Sequence, residues 1–323
     1  MKNFRKIGIA AVLFAAVCIG AGCGAKKDNS QEVFRQYGIN CLNEGKYEDA
    51  VTAFQKALDQ SVGGITEMEL DTCYYKAEAL YKSGDTEGAL EVYNAILNYK
   101  ELSKAYFLRG SLYYATGVES KKGQGAKDFD KAVELDPENY DLYIGIYEAL
   151  TSAGDPKGNA EDYLQKALKI EGDKPQNHMQ RGRIYYLLGD YKKAKELLEK
   201  ARKEDVKEAD YYLTETYEAL GDTDAAQSAF SAYLESGLAD SGSLYHIGNS
   251  LMKAEEYERA IECFDKALGM EKVPNRQVIL KSRIAACEYS GDFSSARKLV
   301  AEYQKEYPED YSLDDEKIFL ETR

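Results

Sequence analysis

The chain has 323 residues, 56 acidic against 42 basic side chains, a formal net charge of −14, only 5 prolines and no tryptophan. So acidic a body repels nucleic-acid phosphates and anionic lipid, which excludes both as electrostatic partners. Scarce proline together with 30% charged residues favours long helices over a strand-rich fold.

Lys2, Arg5 and Lys6 precede an apolar run from Ile7 to Gly22 that stops at Cys23. A basic start followed by a short apolar stretch is the pattern of an export signal, and this stretch is too short for a comfortable membrane-spanning helix. Ala21-Gly22-Cys23 resembles a bacterial lipobox, although Gly20 stands where a leucine-like residue is usual. The resemblance implies that residues 1–22 are a lipoprotein signal peptide and that Cys23 is lipidated, with 23–30 as a short anchored linker. An uncleaved signal anchor is the alternative. In both cases the body is expected outside the cytoplasm, and after cleavage acyl chains rather than charge would hold it at the cell membrane.

From residue 31 onward one phrase recurs. Its clearest copy runs from Arg181 to Ala201: apolar or small residues at helical spacing, then Gly189-Asp190, then Tyr191, Ala194, Leu198 and Ala201. A left-handed Gly ends a first helix there and an Asp caps a second. The same turn position falls at Gly45, Gly84, Gly117, Gly154, Gly189, Gly221, Glu255 and Gly291, at intervals of 32 to 39 residues. A period near 34 residues is the mark of a helix–turn–helix solenoid. Small residues in the first helix (Gly38, Gly110, Gly182, Gly248) face Ala50, Ala89, Ala160, Ala194, Ala226, Ala260 and Ala296 in the second, so the two helices approach closely. Large residues such as Phe54, Phe129, Leu198, Phe264 and Val300 then fill the space between hairpins.

These residues resemble the tetratricopeptide repeat, copy after copy, over residues 31–309. The resemblance implies an all-α, right-handed superhelical solenoid of about eight repeats, with residues 310–323 as a C-terminal capping helix. Copy three carries an expected enlarged turn from Glu119 to Gly125. Copy four registers on either Gly145 or Tyr147, and copy seven has Glu255 where the turn Gly would stand.

No catalytic constellation emerges, no cofactor is implied, and the chain reads as a non-enzyme. His178 and His246 lack metal partners at helical spacing; His246 reads as an ordinary surface side chain. Lys122-Gly123-Gln124-Gly125 follows no strand and reads as part of the inserted turn. Cys41 with Cys73, and Cys263 with Cys287, lie on neighbouring helices where bridges are conceivable, but their core positions favour free thiols.

In tetratricopeptide arrays defined positions of each first helix line a concave groove. Carried over copy by copy, they give Tyr74, Tyr75, Glu78 and Tyr81; Phe107, Ser111 and Tyr114; Met179, Arg183 and Tyr186; Tyr211, Tyr212, Glu215 and Glu218; and Tyr245, Asn249 and Lys253. Tyrosine offers rigid contact area with a hydrogen-bonding tip, which suits a peptide or a sugar chain. The expected function is therefore a membrane-anchored scaffold binding a protein or peptide partner. A carbohydrate- or cell-wall-binding lipoprotein is the alternative.

Overall fold

A computed structural model describes residues 30–155 and 157–322. The expected signal peptide, Cys23 and the expected linker up to residue 29 lie outside the described residues. Among the described residues all regular structure is helical. Seventeen helices run α1 (Ser30–Asn43), α2 (Tyr47–Asp59), α3 (Glu67–Lys82), α4 (Thr86–Tyr99), α5 (Ser103–Ala115), α6 (Glu119–Leu135), α7 (Tyr140–Ser152), α8 (Lys157–Ala167), α9 (Pro175–Leu187), α10 (Tyr191–Lys203), α11 (Ala209–Leu220), α12 (Thr223–Glu235), α13 (Ser241–Lys253), α14 (Tyr257–Leu268), α15 (Arg276–Tyr289), α16 (Phe293–Glu306) and α17 (Asp314–Glu321). The first sixteen form eight antiparallel pairs. No helix among the described residues is long and apolar enough to cross a membrane.

The turns behave as the Gly-Asp phrase requires. Gly189 sits at φ +78°, and the next residue, Asp190, accepts from the Lys193 amide at 3.3 Å, capping α10. Asp85, Asp222 and Asp292 cap α4, α12 and α16 in the same way. Glu255 holds the left-handed turn of the seventh pair at φ +63°, a conformation that strains any residue with a Cβ.

In the first, third, fifth and seventh pairs a glycine of the first helix lies under the large residue of the second. A Cβ added to Gly38 would meet the Phe54 ring at 2.6 Å, one on Gly182 would meet Leu198 at 2.6 Å, and one on Gly248 would meet Phe264 at 2.5 Å. The alanines facing them, from Ala50 to Ala296, are fully buried.

The third pair corrects the expected inserted turn: residues 119–125 are the start of the 17-residue helix α6. Gly125 is the reason. A Cβ there would meet the Tyr114 ring at 2.8 Å and the Gly110 carbonyl oxygen at 3.0 Å, so α5 and α6 cross backbone to backbone, and Gly125 serves packing rather than turning. In the fourth pair the turn residue Gly154 (φ +66°) places Tyr147 seven residues upstream, at the small-residue position. Gly145 instead receives Phe107, whose ring tip would lie 2.9 Å from an added Cβ.

The chain divides into two compact units at Ile170/Glu171. The first contains α1–α8, with buried clusters around Phe54 and around Tyr93 and Ile96. The second contains α9–α17, with clusters around Leu198 and Leu213, around Phe264, and around Val300 and Tyr303; the last also takes in Leu320 of α17. Cys41, Cys73, Cys263 and Cys287 are free thiols.

Candidate functional site

The groove positions divide between the two units. In the first, α3 presents Asp71, Tyr74, Tyr75, Glu78 and Tyr81 at i, i+3, i+4, i+7 and i+10, one face of a helix. They border a cavity of about 400 Å³ closed by Tyr93 of α4 and by Lys104, Leu108, Ser111, Leu112 and Ala115 of α5. An adjoining hollow shares Asp71, Tyr74 and Lys104 and extends to Glu32, Arg35 and Glu67. Cations lie on the two central rings. The Lys104 Nζ is 4.4 Å from the Tyr74 ring centroid, and the Arg35 guanidinium is 5.5 Å from that of Tyr75. The Tyr75 ring also stacks on Phe54 at 5.8 Å. Arg35 is ion-paired with Asp71 and with Glu32. Tyr81 is half exposed, at 47%. Burial pushes the Tyr74 hydroxyl up to about 12, so it stays a neutral donor at any physiological pH.

Two residues assigned to the groove by position in this unit pack inward instead. Tyr114 is buried and stacks on Phe129 at 5.4 Å, in the space that Gly125 leaves open. Phe107 wedges between Phe129, at 6.2 Å, and the bare backbone of Gly145. Lys104, Asp71 and Arg35 are the charged residues that sequence reasoning missed. Lys104 sits one turn before Phe107 and Asp71 one turn before Tyr74 on the same helix faces, so continuing the period upstream finds both.

In the second unit Met179 is likewise buried, in the cluster with Leu198, Ala209 and Leu213, and lines no groove. Tyr186, Glu215 and Ser250 tie three first helices together: the Tyr186 hydroxyl donates to Glu215 Oε2 at 2.9 Å, and the Ser250 hydroxyl donates to the same oxygen. Glu215 is only 5% exposed, its Oε1 has no partner, and burial holds its carboxyl above the usual range despite the two hydroxyls. It therefore works as an internal strut more than as a surface acid. Arg183 lies 5.4 Å from the Tyr212 ring, and Tyr211 is packed edge-on to Tyr212 at 4.7 Å and against Tyr233 at 5.5 Å. Glu218 is ion-paired with Arg259. Tyr245 lies against Phe264 at 6.2 Å, Asn249 is half-buried, and Lys253 and His246 are exposed. His178 is buried with its Nε2 3.1 Å from Asp173.

Chemically, the first unit offers a concave slot with aromatic walls, hydroxyl donors and carboxylates. Among the described residues no three His, Cys, Asp or Glu side chains group as a metal site.

Comparison with known proteins matches the repeats, by sequence, to known families. Two tetratricopeptide repeat families match this chain, one over residues 41–106 and 215–277 and the other over 158–214. A TPR repeat-containing protein of Methanocaldococcus jannaschii is 33% identical over 155 residues, 44% of this chain and 26% of that protein. RNA polymerase II-associated protein 3 of Rattus norvegicus is 26% identical over 165 residues, 50% of this chain and 24% of its own length. The chain thus spans about a quarter of the length of these curated relatives. A crystal structure of a tetratricopeptide repeat protein from Parabacteroides merdae aligns with 80% of this chain and 99% of its own at 15% identity and a TM-score of 0.48.

Proposed function

This chain is a tetratricopeptide repeat protein, and from that premise we propose that it is a scaffold for protein–protein contacts, held at the outer side of a cell membrane by lipid on Cys23. The observation that carries the reading is the α3–α5 slot, where Tyr74, Tyr75, Glu78, Tyr81 and Ser111 converge on one cavity of about 400 Å³. A slot of that kind takes the side chains of an extended or helical segment, with tyrosine supplying area and orientation. The second unit contributes Arg183, Tyr186, Tyr211, Tyr212, Tyr245 and Asn249 as a separate patch. The repeats imply binding rather than catalysis.

Within the slot the sugar-binding alternative is weaker. Stacking on a sugar is best on a bare ring face, yet of the two central rings Tyr74 carries Lys104 and Tyr75 is packed by Arg35 and Phe54. The test is recovery of partners from detergent-solubilised membranes with Tyr74, Tyr75, Tyr211 and Tyr212 changed to Ala. Loss of a specific partner supports the scaffold; unchanged recovery by a folded variant rules out these rings as its contact. For the anchor, Cys23→Ala should move the protein out of the detergent phase, and unchanged partitioning would refute lipidation.

A further inference from the structure

Building on the proposed scaffold role, we infer that the α3–α5 slot receives a basic partner segment, one lysine or arginine of which takes the place of Lys104 on the Tyr74 ring. Lys104 reaches from the first turn of α5 to lie 4.4 Å from that ring, and it is exposed. Among the described residues it makes no ion pair. It is therefore held mainly by the ring, and an incoming cation can replace it like for like.

The surrounding charge favours that exchange. The slot and its adjoining hollow contain Asp71, Glu78, Glu32 and Glu67 against Arg35 and Lys104. Arg35 is already committed to Asp71 and Glu32, and Glu78 has only a loose contact to Lys82 at 3.8 Å. With Lys104 swung out, Glu78 and Glu67 are left to meet a cation from outside, on a chain whose net charge is −14. An acidic segment would meet four carboxylates and would need Lys104 as its partner. The two cases therefore predict opposite effects of removing the Lys104 charge.

The experiment uses the full chain and three labelled twelve-residue peptides of alternating apolar and polar residues, the polar positions being all Lys, all Gln or all Glu. Anisotropy titrations at physiological salt should show the Lys peptide bound most tightly. Lys104→Met should tighten it about two- to fivefold, the inverse of one exposed cation–π contact. Lys127→Met, the same charge change on the exposed face of α6, should leave affinity within about twofold, as a distant screened charge does. Tyr74→Leu should weaken binding about tenfold, as loss of a central aromatic contact does. Preference for the Glu peptide, with loss on Lys104→Met, would overturn the inference while leaving a tyrosine-dependent groove intact. So would a preference for the Gln peptide. Lys-peptide binding that ignores both Lys104→Met and Tyr74→Leu would reduce it to bulk charge attraction and also overturn it. Failure of all three peptides to bind a folded protein would remove the slot itself as a peptide site.

Discussion

Two glycines two residues apart on α6 should respond to alanine with opposite signs. Gly123 lies in the helix, exposed, and an added Cβ meets nothing within 4 Å. Gly123→Ala removes backbone freedom from the unfolded chain without strain in the folded one, and should stabilise by about 0.5–1 kcal/mol. At Gly125 the same Cβ would meet the Tyr114 ring at 2.8 Å and the Gly110 carbonyl oxygen at 3.0 Å. Neither can yield cheaply, because the ring is buried against Phe129 and the oxygen belongs to a packed helix. Overpacking of this kind costs about 1–3 kcal/mol. Set against the same propensity gain, Gly125→Ala should be net destabilising by roughly 1–2 kcal/mol. Urea denaturation followed by helical circular dichroism reads both, with unchanged slopes confirming that the unfolding unit is the same. Stabilisation by both variants would refute the backbone-to-backbone crossing. Destabilisation by Gly123→Ala would refute the helical assignment of residues 119–125.

Three further changes test the local physics. Glu255→Gly relieves a left-handed non-glycine residue and should raise stability by about 1 kcal/mol in the same assay; no gain would mean that the turn is unstrained. Burial pushes the Glu288 carboxyl, hydrogen-bonded to Glu316, up to about 8. Its raised value means its contribution is complete below about pH 4.5 and lost as pH rises through about 8, so Glu288→Gln should flatten that fall in midpoint. Burial opposes ionisation of Glu69, but hydrogen bonds from Thr66, Gln31 and Ser61 outweigh it and hold the carboxyl at about 2. That stabilisation is present above about pH 4.5 and lost as pH falls through about 2. Glu69→Gln should lower stability at neutral pH by about 1–3 kcal/mol and abolish the acid-limb slope attributable to this residue.

The hairpins were legible because local rules and packing rules coincide in them. A Gly-Asp turn, a small residue seven positions before it and an alanine after it recur at fixed offsets, and each is forced by a backbone angle or a close approach. Where one residue serves a different purpose the pattern misleads. Gly125 looked like a turn glycine but makes room for Tyr114, and Gly145 looked like a repeat glycine but makes room for Phe107 of the preceding pair. Groove membership was harder still. Tyr74, Tyr75, Glu78 and Tyr81 share a cavity, whereas Tyr114 and Met179, chosen by the same positional rule, are core. Position along a helix gives a face, but which neighbour covers that face depends on the next hairpin. Lys104 is reached by continuing the helical period one turn upstream of Phe107, but Arg35 is marked by nothing in its own repeat; the significance of both comes from the rings of α3 on which they lie.

The central claim, that the α3–α5 slot is where a protein partner is held, is tested most directly by a photo-crosslinking residue placed at Ser111, inside the slot, with Glu91 on the exposed side of α4 as the comparison. In the cells that express it, the Ser111 derivative should give a discrete protein adduct whose mapped segment contains lysine or arginine, and the adduct should vanish when Tyr74 and Tyr75 are also changed to Ala. Equal or stronger adducts from Glu91, or a Ser111 adduct indifferent to the two tyrosines, would contradict the account.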